Sequence, residues 1–252
     1  MVTADFTQDV FLGGKLTLAQ ARDGFRAGLD SVLLPAAAPV RGGDHVLDAG
    51  CGAGVAGLCL LARVPEARLT GVDQEPGAIR LCTDNAARNG FEGDASFIEG
   101  DVFDLPNLTG RDRFDHVISN PPFHDPERER ISPRIAKAAA HALRQGEPYS
   151  KALGLWIAAC LAVLKTKGSL TMINRAEALP ATLKALEGVT GAIEVIPLWP
   201  KAGEPAKRVI ICARKGAKAT AKLHPGFVLH GADGGFTPEI DAALRDGEAL
   251  GL

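Results

Sequence analysis

From residue 44 onward, short apolar runs alternate with longer stretches of helical period. Residues 45–48, 68–73, 95–99, 115–119 and 169–173 read as strands: short, rich in Val, Ile and Leu, and bounded by polar or glycine positions. Residues 55–63, 76–89, 149–164 and 176–186 read as helices. Pro76 suits a first helical turn, and Asn89-Gly90 is a stop signal. Alternation of this kind predicts a parallel sheet with helices on both faces. Residues 192–198 and 208–213 are β-rich and separated only by a loop, so they predict an antiparallel hairpin.

The ends have a different pattern. Residues 9–18 predict a hairpin or paired strands about Gly13-Gly14. An apolar helix is expected over 31–38, with Asp30 or Ser31 as its N-cap. Residues 121–148 form a long unassigned segment, and Phe236-Thr237-Pro238-Glu239 opens a final helix. Three parts are expected: a β/helical lead over 1–44 that covers the cleft, a central domain over 45–215, and a tail over 216–252 packed on that domain.

Composition narrows the class. The chain has 252 residues, 46% of them hydrophobic, with a formal net charge of −2. That is enough chain for a sizeable core, and it argues against disorder and indiscriminate nucleic-acid binding. Five cysteines, none in a CxxC pair, argue against a zinc site or a disulfide framework. No apolar run reaches membrane-spanning length, and the cytoplasm is the expected location.

The chemistry concentrates after the strand at 45–48. Val46-Leu47-Asp48-Ala49-Gly50-Cys51-Gly52-Ala53-Gly54-Val55-Ala56-Gly57 reads as strand, tight turn and helix. Closely spaced glycines let backbone N–H groups approach a ligand, and a nucleotide-like molecule should lie across the turn. Two cofactors compete. Gly52 to Gly57 fits G-x-G-x-x-G with Asp73 about 20 residues on, a dinucleotide pattern. Asp48-x-Gly50-x-Gly52-x-Gly54 fits a different acid-and-glycine string. Asp73, with Gln74 beside it, ends the second strand, where a carboxylate can accept bonds from two ribose hydroxyls. Asp101 closes the third strand. Three acids at successive strand ends converge on one crevice. Arg26 and Asp30 are candidates to line it.

Ser119-Asn120-Pro121-Pro122-Phe123 follows the fourth strand. The Asn120 side-chain carbonyl and the Pro121 backbone carbonyl can accept the two N–H bonds of a planar amine. Pro121 and Pro122 stiffen the turn and lack donors, and Phe123 offers a stacking face. His124 is a candidate substrate contact or base. Arg128, Arg130, Arg134 and Lys137 make either a solvated face or an arm for phosphates.

The string from Asp48 to Gly54 resembles motif I of class I S-adenosylmethionine (SAM) methyltransferases. Asn120 to Phe123 resembles the (N/D/S)-P-P-(Y/F/W) motif of those acting on exocyclic or amide nitrogens. Leu12-Gly13-Gly14-Lys15-Leu16, Gly24 to Leu34, Lys137 to His141, Ala202 to Ala206 and His230 to Gly234 resemble bacterial tRNA adenine-N6 methyltransferases of the small-methyltransferase-domain group. The resemblance implies a Rossmann-like class I α/β fold, a mostly parallel seven-stranded sheet with a C-terminal antiparallel hairpin. It implies SAM at Asp48, Gly50, Cys51, Gly52, Gly54, Asp73, Gln74 and Asn120. By the same resemblance Asp101 binds the adenine amino group and Val102 packs on the ring. It implies RNA, tRNA first, as partner; no metal and no membrane are expected from the cysteine and hydropathy patterns. Phe123-His124 also resembles guanine-N2 rRNA enzymes, and protein glutamine methyltransferases share the tetrad.

Overall fold

The computed structural model describes residues 6–22, 26–122 and 149–251. Strands β1 (Phe6–Phe11) and β2 (Leu16–Ala21) form the expected hairpin, turning through Leu12–Gly14. Helix α1 (Leu29–Ala37) is followed by β3 (His45–Ala49), α2 (Val55–Arg63), β4 (Arg68–Asp73), α3 (Pro76–Arg88) and β5 (Ala95–Glu99). A short α4 (Leu105–Thr109) leads to β6 (Phe114–Ser119). Then come α5 (Tyr149–Val163), β7 (Leu164–Arg175), α6 (Leu179–Leu186), β8 (Thr190–Trp199) and β9 (Arg208–Lys215). Two short strands, β10 (Lys222–Leu223) and β11 (Phe227–Val228), precede α7 (Pro238–Arg245).

The central sheet runs β10-β8-β9-β7-β6-β3-β4-β5, with β11 also on β8. Strands β7, β6, β3, β4 and β5 are mutually parallel, and β9 is antiparallel to both β7 and β8. The seven long strands are those expected, hairpin included. The chain reverses direction of travel across the sheet at β3, which has β4 on one side and β6 on the other. In open α/β sheets ligands bind at such a switch point, beyond the carboxyl ends of the strands.

Strand alternation separates two cores. Val46, Ile118, Ile173, Ile196 and Ile210 pack with α1 and α2. Leu47, Val117, Leu170, Met172 and Ile211 pack with α5 on the other face. Burying a Leu, Ile or Val side chain stabilises by about 1.5–3 kcal/mol. Both apolar faces therefore hold the sheet rigid beneath its loops.

Three local expectations change. Neither Asp30 nor Ser31 caps α1. Gly28 occupies the N-cap without a side-chain bond, and Asp30 enters the first turn. Strand β7 begins at Leu164 rather than 169, because Leu164 pairs with Phe114 of β6 ahead of an irregularity in the ladder. β10 and β11, two residues each, extend the sheet beyond the hairpin.

The hairpin of the lead is tied to α3 by polar bonds. Asn85, fully buried, accepts from Ala19 N at 2.8 Å and donates to Ala19 O and Ala53 O at 3.0 Å each. Asn89 accepts from Thr17 N and donates to Thr17 O, both at 3.0 Å.

Candidate active site

The glycine turn forms because alternating residues must take left-handed backbone conformations. Gly50, Gly52 and Gly54 have φ of 79°, 53° and 82°. Gly54 is the N-cap of α2, and Leu58 N donates to its carbonyl. The turn is stitched to the next strand, with Gly50 N and Cys51 N both donating to Val72 O. A Cβ on Gly52 would meet no atom within 4 Å, so this side of the turn is open.

Acids surround the turn. Asp48 is buried and accepts from Gly57 N at 3.1 Å. Loss of hydration pushes its carboxyl up to about 7; the Gly57 bond opposes the shift and the negative field of Asp73 adds to it. Asp73 braces the loop directly. Its Oδ2 accepts from Gly52 N at 2.8 Å and its Oδ1 from Glu75 N at 3.0 Å. Each carboxylate oxygen can accept a further bond. Asp101 is exposed, and its Oδ1 accepts from Phe103 N at 2.9 Å. Val102, expected against an adenine ring, is 4% exposed and packs in the α5-side core, so little of it is left for a ligand. Gln74 is half-buried. Cys51 is buried, and the neighbouring Cys82 thiol together with burial raises its pKa well above normal, leaving a neutral wall.

Asn120 follows β6 immediately. Ala49 pairs with Val72 on one side and with Ser119 on the other. Asp48, Asp73 and Asn120 therefore lie at the tips of three adjacent strands, and β5, which leads to Asp101, is the fourth. At roughly 4.8 Å per strand the row spans about 15 Å. Both polar atoms of the Asn120 amide, Oδ1 and Nδ2, are buried and have no hydrogen-bond partner among the described residues. An unsatisfied buried group costs about 1–3 kcal/mol. Such an atom calls for a partner from outside the described residues, a ligand or an ordered water.

Two residues that sequence reasoning missed set this amide in place. Ser119 Oγ donates to Ala49 O at 2.9 Å, and Trp156 Nε1 donates to Ser119 Oγ at 2.9 Å. The Trp156 ring also lies under the glycine turn, since a Cβ on Gly50 would come within 3.1 Å of it. Trp156 thus joins the cofactor turn to the Asn120 strand. An apolar-helix tryptophan carries no local signal of that role.

Other candidates fall elsewhere. Arg26 bonds both Asp9 oxygens, at 2.7 and 2.9 Å. Asp30 accepts from Arg208 Nε at 2.9 Å. No described contact brings either to the glycine turn. Pro121 is buried and Pro122 half-buried. Phe123, His124, Arg128, Arg130, Arg134 and Lys137 lie outside the described residues. Among the described residues no cluster of metal-ligating side chains occurs, and no helix is long and apolar enough to cross a membrane.

The site suits a ligand with a cationic part and hydroxyl groups: a buried carboxyl, a second carboxylate with acceptor capacity, an open glycine turn and an orphaned amide. These features fit SAM: a sulfonium and an ammonium would favour an ionised carboxyl at Asp48, and a ribose would have an acceptor in Asp73.

Residues 28–149 match the family model described as Methyltransferase small domain. The chain is 36% identical over 140 residues to the tRNA1(Val) (adenine(37)-N6)-methyltransferase of Porphyromonas gingivalis, a match covering 50% of this chain and 54% of that protein. It thus spans about half the length of that relative. A Shewanella amazonensis protein of the same name is 26% identical over 230 residues, 88% of this chain and 91% of its own. Ribosomal RNA small subunit methyltransferase C of Cronobacter sakazakii is 41% identical over 105 residues, covering 42% of this chain and 28% of that protein. Among solved structures, a predicted O-methyltransferase from Agrobacterium tumefaciens aligns with a TM-score of 0.72 at 22% identity, over 88% of this chain and 98% of that one. A SAM-dependent O-methyltransferase from Thermotoga maritima aligns with a TM-score of 0.54 at 18% identity, over 78% of this chain and 68% of that one. At these identities the structures establish the fold alone, a Rossmann-like methyltransferase fold. Through residues 28–149 the chain is similar to the methyltransferase small-domain family.

Proposed function

We propose that this protein is a SAM-dependent N-methyltransferase acting on an exocyclic amine of an RNA base, with adenine N6 in tRNA as the favoured acceptor. The observation that carries the reading is the orphaned Asn120 amide, buried at the strand tip next to the glycine turn. Bound there, SAM supplies an electrophilic methyl group on a sulfonium. The glycine turn, Asp48, Asp73 and Asp101 hold and orient it.

The remaining work falls to the chain itself. The lone pair of an exocyclic amine is delocalised into the base and is a poor nucleophile. Asn120 Oδ1 and the Pro121 carbonyl accept its two N–H bonds. This fixes the nitrogen and favours a pyramidal geometry. The tight Pro121-Pro122 turn keeps both acceptors aimed. Positioning and electrostatics account for the acceleration, and no strong general base is required.

An RNA acceptor is supported by the relatives' names, and tRNA in particular by the Shewanella relative, matched over 91% of its length. An RNA-modifying role is consistent with the cytoplasm. Guanine N2 of rRNA is the second reading, favoured by the 41% identity to the Cronobacter rRNA enzyme. The test is methyl transfer from labelled SAM to unmodified tRNA, to rRNA and to a glutamine-containing release-factor peptide, with mass mapping of the product. N6-methyladenosine in tRNA is expected. Label in guanosine of rRNA shifts the assignment to the second reading, and label only in the peptide removes RNA from it.

A further inference from the structure

The carboxyl edge of the sheet continues past Asn120 onto β7 and β9. There Arg175 and Arg208 stand directly opposite each other in the antiparallel register. Like charges so placed repel. Strand alternation puts Arg175 on the side of Ile173 and Arg208 on the side of Ile210, both in the core that packs with α1. Asn120, two residues beyond Ile118 of that same core, belongs to this side as well. Its strand adjoins β7, and β9 is the next one out. The two guanidiniums are therefore based about 5 and 10 Å to one side of the reactive amide.

Each arginine has a carboxylate: Arg208 Nε meets Asp30 at 2.9 Å and Arg175 meets Glu177 at 3.5 Å, with arginine side chains 31% and 25% exposed. The β8–β9 loop above them adds Lys201 and Lys207, both exposed and without an ion pair among the described residues. That loop is held in place. Ala176 N donates to Lys207 O at 3.2 Å, and Lys207 N donates to Leu198 O at 3.3 Å. Glu204 is the loop's own acid. Among the described residues cations outnumber acids here, and Lys201 and Lys207 face solvent.

We propose that Arg175, Lys201, Lys207 and Arg208 form a strip that binds the phosphodiester backbone beside the base presented to Asn120. The proposal rests on the RNA reading above and adds where the backbone lies. The lysines attract the polyanion, and the arginines bind phosphate at close range with fixed fork geometry. Specificity for the base stays with the Asn120 side of the cleft, since phosphate contacts position without reading sequence.

The test uses the full chain as wild type, Lys201→Ala/Lys207→Ala and Arg175→Gln. Binding to unmodified tRNA is followed by fluorescence anisotropy across a salt series, with SAM titration and saturating-RNA turnover alongside. Removing one cation that neutralises a phosphate should reduce the slope of log K against log salt by about 0.7–0.9. The double lysine variant should bind RNA about tenfold more weakly at low salt, while SAM affinity and turnover at saturating RNA hold within twofold. Wild-type affinity and slope in that variant overturn the strip and leave the RNA reading standing. A wild type that binds no RNA overturns both. The lysine variant carries the test if Arg175→Gln fails to fold.

Discussion

Asn120 and Asp48 carry opposite kinds of unrelieved cost. Asn120 lacks partners, and Asp48 lacks solvent. Replacing Asn120 by Ala removes an amide that binds nothing among the described residues. The variant should therefore fold at least as well as the wild type and bind SAM within a few-fold of it. Turnover should fall by two or more orders of magnitude, in line with the loss of an essential positioning and electrostatic group. Calorimetric titration and labelled-methyl assays separate the two effects, and equal loss of both would assign Asn120 to the cofactor. Asp48 has a folded pKa of about 7 against an ordinary 3.8. A raised folded value means stability that is full below the ordinary pKa and is lost as pH rises through 7. The ligand-free wild type should lose urea resistance from about pH 4 to about pH 7 relative to Asp48→Asn. Parallel stability profiles of the two proteins would refute the shift. A cationic ligand that favours the ionised carboxyl should release protons on binding near neutral pH, read as a buffer-dependent binding enthalpy.

At the scale of elements, the glycine turn is a brace between β3, β4 and α3. Gly54 has φ of 82°, and a Cβ there would stand 2.8 Å from Cys82 Cβ. Gly54→Ala combines left-handed strain of about 1–2 kcal/mol with that clash, so it should lower the unfolding midpoint and weaken SAM binding together. An unchanged midpoint by thermal denaturation would count against the role given to this glycine. The turn is legible in the sequence because its instructions are local: positive φ demands glycine, and Asp48, Gly50, Gly52 and Gly54 sit within seven residues. Asn120 is legible for the same reason, as part of a four-residue motif. Trp156, Asn85 and Arg208 are not. Their partners lie 37, 66 and 178 residues away, and no periodicity encodes such a pairing. Resemblance assigns Val102 to the ligand, yet the α5 side of the core claims its side chain. β10 and β11 escape because two-residue strands have no period to read.

Across the whole molecule the two edges of the sheet differ in how their polar groups are satisfied. At the amino edge, His116 bonds Ser169 Oγ at 2.6 Å and Asp44 at 3.0 Å, and Asp115 meets Lys165 at 2.7 Å. Burial lowers the pKa of His116 despite Asp44 beside it, so it stays neutral near pH 7. That edge is closed on itself. The carboxyl edge keeps an orphaned amide, an open glycine turn and a cationic margin, which is why chemistry is assigned there. His116→Ala should accordingly lower the unfolding midpoint while leaving turnover per folded molecule within a few-fold. A selective loss of turnover at unchanged stability would relocate the chemistry.

Asn85 touches both the second strand of the leading hairpin and, at Ala53, the turn that would cradle the methyl donor. One buried amide thereby makes two sequence-distant pieces a single mechanical unit. Occupancy of the cradle should slow deuterium uptake at Ala19, a site the donor never meets, and Asn85→Ala should abolish that remote protection.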